Sequence, residues 1–125
     1  MPLPLLWKKI ISFGRHSEIL GVDYLKSIGY RVVASGYQAK NGEVDIVAWD
    51  GSVLAFIEVK ARRNDDPPED AVGPGKQRRV IRAAKHYMSR YRLNESPYRF
   101  DILAVTVLPG SQPSFRLLRD AYKDV

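Results

Sequence analysis

The chain contains no cysteine among its 125 residues. A disulfide framework, a thiolate zinc site and a cysteine nucleophile are therefore excluded. The absence is compatible with a reducing compartment, and we expect a cytoplasmic protein. The sequence also lacks internal repeats and low-complexity segments. Its length suits one domain over residues 1–125, and its hydrophobic content of 45% suits a folded core.

Long hydrophobic runs are missing as well. The apolar N-terminal segment MPLPLLWKKII is short, and its lysines follow the apolar residues instead of preceding them. It makes a poor signal peptide and is too short to span a bilayer, so we expect no membrane association. We interpret residues 1–13 as a small docking segment.

Positive charge, in contrast, is abundant. The formal net charge is +6 and the isoelectric point is near 9.7, which favours an acidic partner, with nucleic acid ahead of a membrane. Neither zinc-finger spacing nor an RNP-type aromatic motif is present. We therefore expect recognition of the nucleic-acid backbone and shape rather than of a base sequence.

The apolar pattern predicts an α/β or α+β domain with a mixed sheet flanked by helices. Helices are predicted over 15–28, ending at Gly29, and over 76–92. The second helix should bury the apolar positions Val80, Ile81, Ala84, Met88 and Tyr91. Strands are predicted over 30–37, 42–49, 53–61 and 99–108, with a possible edge strand over 114–118 and a mobile surface loop over 62–75.

Acids stand within two strands that are otherwise mostly apolar: Glu43, Asp45 and Glu58. Burying a carboxylate without a partner is costly, so these positions need a physical reason. If Asp50 and Gly51 form the whole hairpin turn, Glu43 faces Glu58 and Asp45 shares their side of the sheet. Such crowding is easier to maintain when a cation neutralises it.

The same register places Asp45 opposite Phe56 and puts Lys60 on the acidic face. Oxygen ligands of this kind suit a hard divalent ion, Mg²⁺ or Mn²⁺. The alternative is a same-face salt bridge between Glu58 and Lys60 on a partly exposed strand. Glu43 is open to three interpretations: a metal ligand, a group behind the ligands, or a partner for Lys60.

The first helix supplies a further acid. Glu18, Val22 and Leu25 follow helical spacing, so Glu18 lies on the stripe that should face the sheet. Gly21 lies one turn away, and a glycine inside a helix is compatible with a close approach of helix to sheet. Glu18 could then reach the hairpin acids. The alternative is an acid favoured near the start of a helix by the helix dipole.

Asp45 followed by Glu58-Val59-Lys60 resembles the D…(D/E)-x-K signature of the restriction-endonuclease-like nucleases. Longer stretches across most of the chain resemble the YraN-type family of small bacterial proteins, which is similar in fold to archaeal Holliday-junction resolvases. These stretches are GxxxExLxxxYLxxxGYxV, GEVDIVAWDG, FIEVKAR, AVxxxKQRRVxxAAxxY and RFDILAV.

The resemblance implies a PD-(D/E)XK nuclease fold of order α-β-β-β-α-β and a metal-dependent endonuclease. By position, Asp45 and Glu58 correspond to the metal ligands, with the Val59 carbonyl often completing such sites. Glu18 corresponds to the helix acid of resolvase-like members, and Lys60 to the lysine that orients or activates water. Junction-cutting relatives act as symmetric dimers, so the resemblance also implies a possible homodimer.

The second predicted helix carries a run of positive charge without an acid. A solvated helix face usually mixes signs, so this run favours contacts with phosphates. Lys76 and Gln77, near its start, are expected to reach towards the active site. His86 has no obvious partner in the sequence, and we expect it at the surface. The residues predicted to bind nucleic acid are Lys76, Gln77, Arg78, Arg79, Arg82, Lys85 and Arg90.

Three functions are compatible with the sequence. The first is a Mg²⁺- or Mn²⁺-dependent nuclease acting on branched or otherwise structured DNA. The second is a catalytically silent module that uses the same fold to bind nucleic acid or a partner protein. The third, a regulatory or assembly protein that touches no nucleic acid, leaves the clustered acids and the basic helix unexplained.

Overall fold

A five-stranded mixed sheet with a helix on each face forms the core of the protein. The computed structural model describes residues 5–63 and 72–124, with side chains from residue 14 onward. The strands lie in the order β1-β2-β3-β4-β5. The elements are α1 (Leu5–Ser27), β1 (Arg31–Ala39), β2 (Gly42–Asp50), β3 (Val53–Arg62), α2 (Pro74–Arg90), β4 (Tyr98–Thr106) and β5 (Ser114–Tyr122).

Strand directions follow from the connections. Neighbouring strands are antiparallel except β3 and β4, which are parallel and are joined through α2. A parallel pair needs a long crossover, and a helix is its usual form. This architecture confirms the predicted fold class and is consistent with a restriction-endonuclease-like fold. The possible edge strand is present as β5, and it continues to Tyr122.

The turn of the β2–β3 hairpin lies one residue later in the chain than predicted. Each residue of β2 that pairs with β3 therefore faces a residue two positions further along β3 than predicted. Asp50 pairs with Val53, so Gly51 and Ser52 form the turn, and Gly51 has a φ of 59° that suits glycine. The prediction that Asp50 belongs to the turn is therefore wrong. Phe56 faces Val47 instead of Asp45, and Glu43 does not face Glu58 because β2 and β3 pair only as far as Ile46 and Ile57. A shift of two residues keeps every side chain on its predicted face, because side chains alternate with a period of two.

The sheet separates two apolar layers. Residues Val80, Ala83, Ala84, Tyr87 and Met88 of α2 pack on one face, together with Phe56 of β3 and Phe100 of β4. On the other face, Leu25 of α1 packs with Ile46, Ile57, Leu103 and Val105. Neighbouring residues of one strand, such as Phe56 and Ile57, therefore belong to opposite layers, as the strand period requires.

Each helix approaches the sheet closely at a glycine. A Cβ atom added to Gly21 of α1 would lie 3.1 Å from Leu103 Cδ2, which confirms the expected close contact of α1 with the sheet. A Cβ atom added to Gly42 of β2 would lie 2.8 Å from the backbone nitrogen of Ala83 and 2.8 Å from the backbone oxygen of Arg79. Gly42 thus sets the distance between α2 and the start of β2.

The helix bounds and their buried positions differ in part from the predictions. Gly29 has a φ of 98° and ends α1 as predicted, but α1 begins at Leu5, inside the expected docking segment. The apolar residues of the N-terminal segment do not recur with a helical period, so the sequence did not predict a helix there. Tyr91 is 49% exposed, because α2 ends at Arg90 and Tyr87 occupies the buried position one turn earlier.

The predicted loop over 62–75 is described only at its ends. Residues 64–71 lie outside the described residues, whereas Pro74 and Gly75 belong to the first turn of α2. Pro is favoured in the first turn of a helix, where its missing N–H would have no intrahelical partner. Among the described residues, no helix is long and apolar enough to cross a membrane.

Candidate functional site

The candidate site lies where β2 and β3 separate. Their pairing runs from Asp50 and Val53 to Ile46 and Ile57. Beyond this point the start of β2 pairs with β1, and the end of β3 pairs with β4. Asp45 lies at the separation, and its Oδ2 accepts a hydrogen bond of 2.8 Å from the Val59 N–H. The Asp45 side chain thus pairs with the Val59 N–H, and this hydrogen bond holds the Asp45 carboxylate beside Glu58.

A pocket of about 420 Å³ opens at this separation. Three parts of the fold contribute to its wall: α1, the separated ends of β2 and β3, and the start of α2. The pocket brings together the acids and the lysine that the sequence predicted as catalytic. Its lining residues are Gly14, Glu18, Asp45, Glu58, Val59, Lys60, Ala61, Val72 and Lys76.

Glu58 is the most buried of these acids, with 3% of its side chain exposed. Its Oε2 lies 3.3 Å from the Lys76 ammonium, while its Oε1 has no hydrogen-bond partner within the described part of the chain. Burial and the neighbouring Asp45 carboxylate raise the pKa of Glu58 to about 9, outweighing the attraction of Lys76. Such a group favours the protonated form unless a stronger cation binds it.

Glu18 and Lys60 complete the wall of the pocket. Glu18 is half-buried, and burial together with the Asp45 carboxylate raises the pKa of its side chain. Glu18 therefore interacts electrostatically with the hairpin acid across the gap between α1 and the sheet, as its helical position predicted. Lys60 is also half-buried, and it lines the pocket on the strand that carries Glu58.

Glu43 contacts α2. Its Oε1 lies 3.0 Å from the Lys76 ammonium and 3.1 Å from Nη2 of Arg79. The hydrogen bond from Lys76 is the main cause of its lowered pKa. Of the interpretations left open by the sequence, the structure shows Glu43 in ion pairs with Lys76 and Arg79, where the sequence suggested Lys60.

Comparison of the sequence with known proteins identifies related proteins of one family. Residues 17–105 match the family described as Uncharacterised protein family UPF0102. A UPF0102 protein of Geotalea uraniireducens is 38% identical over 90% of both chains. A UPF0102 protein of Solibacter usitatus is 43% identical over 87% of this chain and 84% of its own length. A UPF0102 protein of Alkaliphilus metalliredigens is 36% identical over 89% of this chain and 97% of its own length.

The chain belongs to the UPF0102 family. This confirms the predicted YraN-type membership. The matched segment contains the pocket acids Glu18, Asp45 and Glu58, together with Lys60 and Lys76.

The donor set of this UPF0102 pocket fits a hard divalent ion only partly enclosed by protein. Among the residues that the structure describes, no group of three or more acidic or histidine side chains gathers closely enough to hold a metal. Mg²⁺, however, usually keeps several waters and takes one or two protein carboxylates. Asp45 and Glu58 supply that number, and Glu58 Oε1 is a buried oxygen still without a partner.

The basic face of α2 begins at the pocket and continues away from it. Arg78, Arg79, Arg82, Lys85 and Arg90 are exposed, whereas Lys76 and Gln77 are half-buried. Of the latter two, Lys76 reaches the pocket as predicted. Gln77 instead donates a hydrogen bond of 3.1 Å to the Val72 carbonyl.

Other elements supply part of the counter-charge that the sequence of α2 lacks. Arg79 pairs with Glu43, and Lys85 lies 3.8 Å from Asp124. Arg82 donates a hydrogen bond to the Asn41 carbonyl. These partners come from distant parts of the chain, so the charge run of α2 did not reveal them.

His86 differs from its prediction. Its Nδ1 forms a hydrogen bond with the Tyr37 hydroxyl, so it has a partner on β1 that the sequence did not indicate. His86 remains exposed, as expected.

A second polar cluster, which the sequence analysis did not predict, surrounds Asp101 of β4. Asp101 is fully buried. It accepts a hydrogen bond of 3.0 Å from Arg99 Nε and another of 2.9 Å from the Asp120 N–H. Arg99 Nη2 also donates to Asp50 and to the Tyr30 hydroxyl. The cluster joins β4 to the end of β2, to Tyr30 just before β1 and to β5. Its one signal was the charged pair in RFDILAV, a strand otherwise apolar.

Proposed function

We propose that this protein is a metal-dependent nuclease that hydrolyses phosphodiester bonds of branched or otherwise structured DNA. The observation that carries the proposal is the pocket in which Glu18, Asp45, Glu58 and Lys60 meet beside the basic face of α2. The preference for structured DNA, and a homodimer that would present two such pockets, come from the resemblance to junction resolvases. The proposed location is the cytoplasm, where bacterial DNA lies.

Each pocket residue has a role in this proposal. Asp45 and Glu58 hold Mg²⁺ or Mn²⁺, aided by the Val59 carbonyl, and Glu18 assists from α1. A bound divalent ion of this kind neutralises phosphate charge and makes water nucleophilic near neutral pH. Lys60 orients that water or stabilises the charge that develops at the phosphate. Glu43 acts indirectly, by holding Lys76 and Arg79 near the pocket.

The basic face of α2 supports DNA as the substrate. Its exposed cations extend from the pocket along one helix, so a phosphate backbone lying on them would pass the carboxylates. The contacts are to phosphates, because the face carries no motif for reading bases. Arg78, Arg79, Arg82, Lys85 and Arg90 are the exposed members of this face.

A cleavage assay with paired variants tests the proposal. Asp45→Asn keeps an oxygen for the Val59 N–H, and Lys60→Met keeps most of the side-chain volume. Each is expected to reduce cleavage of a synthetic four-way junction with Mn²⁺ by roughly 100-fold or more, while DNA binding persists. Asp23→Asn and Lys26→Met, at exposed positions of α1, serve as matched controls. Cleavage at the wild-type rate by both pocket variants would contradict the proposal.

One observation favours a second function, a catalytically silent nucleic-acid-binding module. The Lys76 ammonium lies between Glu43 and Glu58 and neutralises part of the acidic cluster without a metal. A silent module would bind DNA in a salt-dependent way. It would do so equally well with Mn²⁺ or with a chelator, and it would cleave no substrate under either condition.

A further inference from the structure

Lys76 occupies the place among the pocket acids where a cation is needed. Its Nζ lies 3.0 Å from Glu43 Oε1 and 3.3 Å from Glu58 Oε2. It also lines the pocket with Asp45. The ammonium is therefore the cation that pairs with Glu43 and contacts Glu58 in the metal-free protein.

The fold fixes the backbone of Lys76, whereas its long side chain is held only by its contacts with the two acids. The tight contact of Gly42 with the backbone of α2 holds this part of the helix against β2. The side chain of Lys76 is 33% exposed, so protein does not enclose it completely. A lysine combines a compact charge with a flexible stem, and it can leave one acid without unfolding the helix.

A divalent ion and the ammonium cannot both occupy this position next to Glu58. Two positive charges held at the two oxygens of one carboxylate repel each other, and a divalent ion repels the ammonium more strongly than a unit charge would. Glu58 has one oxygen at Lys76 and one, Oε1, without a partner. An ion that reaches Oε1 therefore meets the ammonium at the other oxygen of the same carboxylate.

We propose that Lys76 is a built-in competitor of the metal ion, which holds Glu43 and Glu58 in the empty pocket and releases Glu58 when a divalent cation binds. The proposal rests on the metal site of the proposed function. After release, Lys76 keeps its pair with Glu43, and its ammonium is available to a phosphate of the substrate. Lys76 then sets the metal affinity and couples metal binding to the approach of an anionic chain.

Calorimetric titration with Mn²⁺ tests this role without relying on cleavage. The Lys76→Met variant is expected to bind Mn²⁺ roughly tenfold more tightly than the wild type, because one charge-assisted hydrogen bond no longer has to be broken. Lys26→Met removes the same charge from an exposed position of α1 and is expected to change the affinity less than about twofold. Circular dichroism and thermal unfolding verify that each variant is folded.

A second measurement uses the unaltered protein. Acylation of lysine amines, mapped by mass spectrometry, reports how free each ammonium is. Saturating Mn²⁺ is expected to increase labelling of Lys76 several-fold, while labelling of the exposed Lys26 stays constant.

The outcomes separate this inference from the proposed function. Equal Mn²⁺ affinity in the wild type and Lys76→Met, or labelling of Lys76 that metal does not increase, would overturn the competitor role and leave the metal site standing. No Mn²⁺ binding by either protein would overturn both.

Discussion

At the scale of one residue, the environment of Glu58 favours the binding of a positive charge. Glu58 is buried, it faces a second carboxylate, and only one of its oxygens has a partner in the described structure. A buried acid in this state is more stable protonated, and under the proposed function a divalent ion would replace that proton. The residue is therefore unfavourable for stability and favourable for ion binding.

Replacement of Glu58 by Gln should change how stability depends on pH. Because the pKa of Glu58 is about 9 in the folded protein and ordinarily 4.5, the folded state retains a proton that the unfolded chain has lost between these values. The stabilisation from this group is complete below the ordinary pKa and is lost as the pH rises towards 9. With a chelator present, the wild type should lose stability across this range relative to Glu58→Gln.

Urea unfolding at several pH values measures this difference. Near pH 8, Glu58→Gln should exceed the wild type by roughly 1–3 kcal/mol in its free energy of unfolding. Near pH 5 the two should differ little. The exposed Asp23→Asn serves as the control, and parallel pH profiles for the wild type and Glu58→Gln would show that Glu58 ionises normally.

At the scale of elements, the contact between β2 and α2 determines where the basic face starts. Gly42 has no room for a Cβ atom, since two backbone atoms of α2 would lie 2.8 Å from it. Backbone atoms cannot move aside as a side-chain tip can. Any larger residue must therefore push the helix away from β2, and Lys76 away from Glu43.

Gly42→Ala is expected to destabilise the protein by about 1–3 kcal/mol through overpacking. Gly75→Ala, in the first turn of the same helix, meets only Arg78 Nη2 at 3.9 Å and should be neutral or stabilising by up to about 1 kcal/mol. Chemical denaturation of both variants checks the difference. If the two variants proved equally stable, α2 would not be held at Gly42.

The cluster around Asp101 joins elements at the other end of the sheet. Asp101→Asn should destabilise the protein by about 3 kcal/mol, because it removes the fully buried charge that pairs with Arg99 and leaves Arg99 only its pair with the more exposed Asp50. Asp120→Asn removes an exposed pair with Lys123 and should cost less than about 1 kcal/mol. Thermal or urea unfolding distinguishes them, and a near-zero effect of Asp101→Asn would show that the cluster contributes nothing net.

The elements were largely predictable from the sequence, whereas their register was not. Apolar periodicity and Gly29 identified the end of α1, and Gly51 marked the hairpin. Which two residues close the turn depends on the pairing of β2 and β3, and Asp50, which also pairs with Arg99 of β4, belongs to β2. Strand pairing joins residues on two strands, so the dipeptide at the turn did not determine it.

At the scale of the whole molecule, the net charge of +6 is concentrated in part on one helix face next to the acidic pocket. Three segments far apart in sequence build the pocket: α1, the β2–β3 hairpin and the start of α2. The residue types at Glu18, Asp45, Glu58 and Lys60 were readable from spacing and resemblance. The bridging position of Lys76 was not, because it depends on how α2 packs over β2.

The basic face should give DNA binding a measurable salt dependence. If Arg78 and Arg82 contact phosphates, replacing both by Gln should reduce the slope of log affinity against log salt by about 2 for double-stranded DNA. Arg116→Gln, at an exposed position of β5, should leave the slope unchanged. Fluorescence anisotropy over a salt series provides the slopes, and an unaltered slope in the double variant would place the DNA elsewhere.

The central claim is that the separated ends of β2 and β3 form a divalent metal site. Calorimetric titration of Mn²⁺ into the wild type, Asp45→Asn, Glu58→Gln and the control Asp23→Asn tests it most directly. We predict one binding event in the wild type and the control, and its loss in both pocket variants. Binding that survives in Asp45→Asn and Glu58→Gln, or no binding in the wild type, would contradict the account.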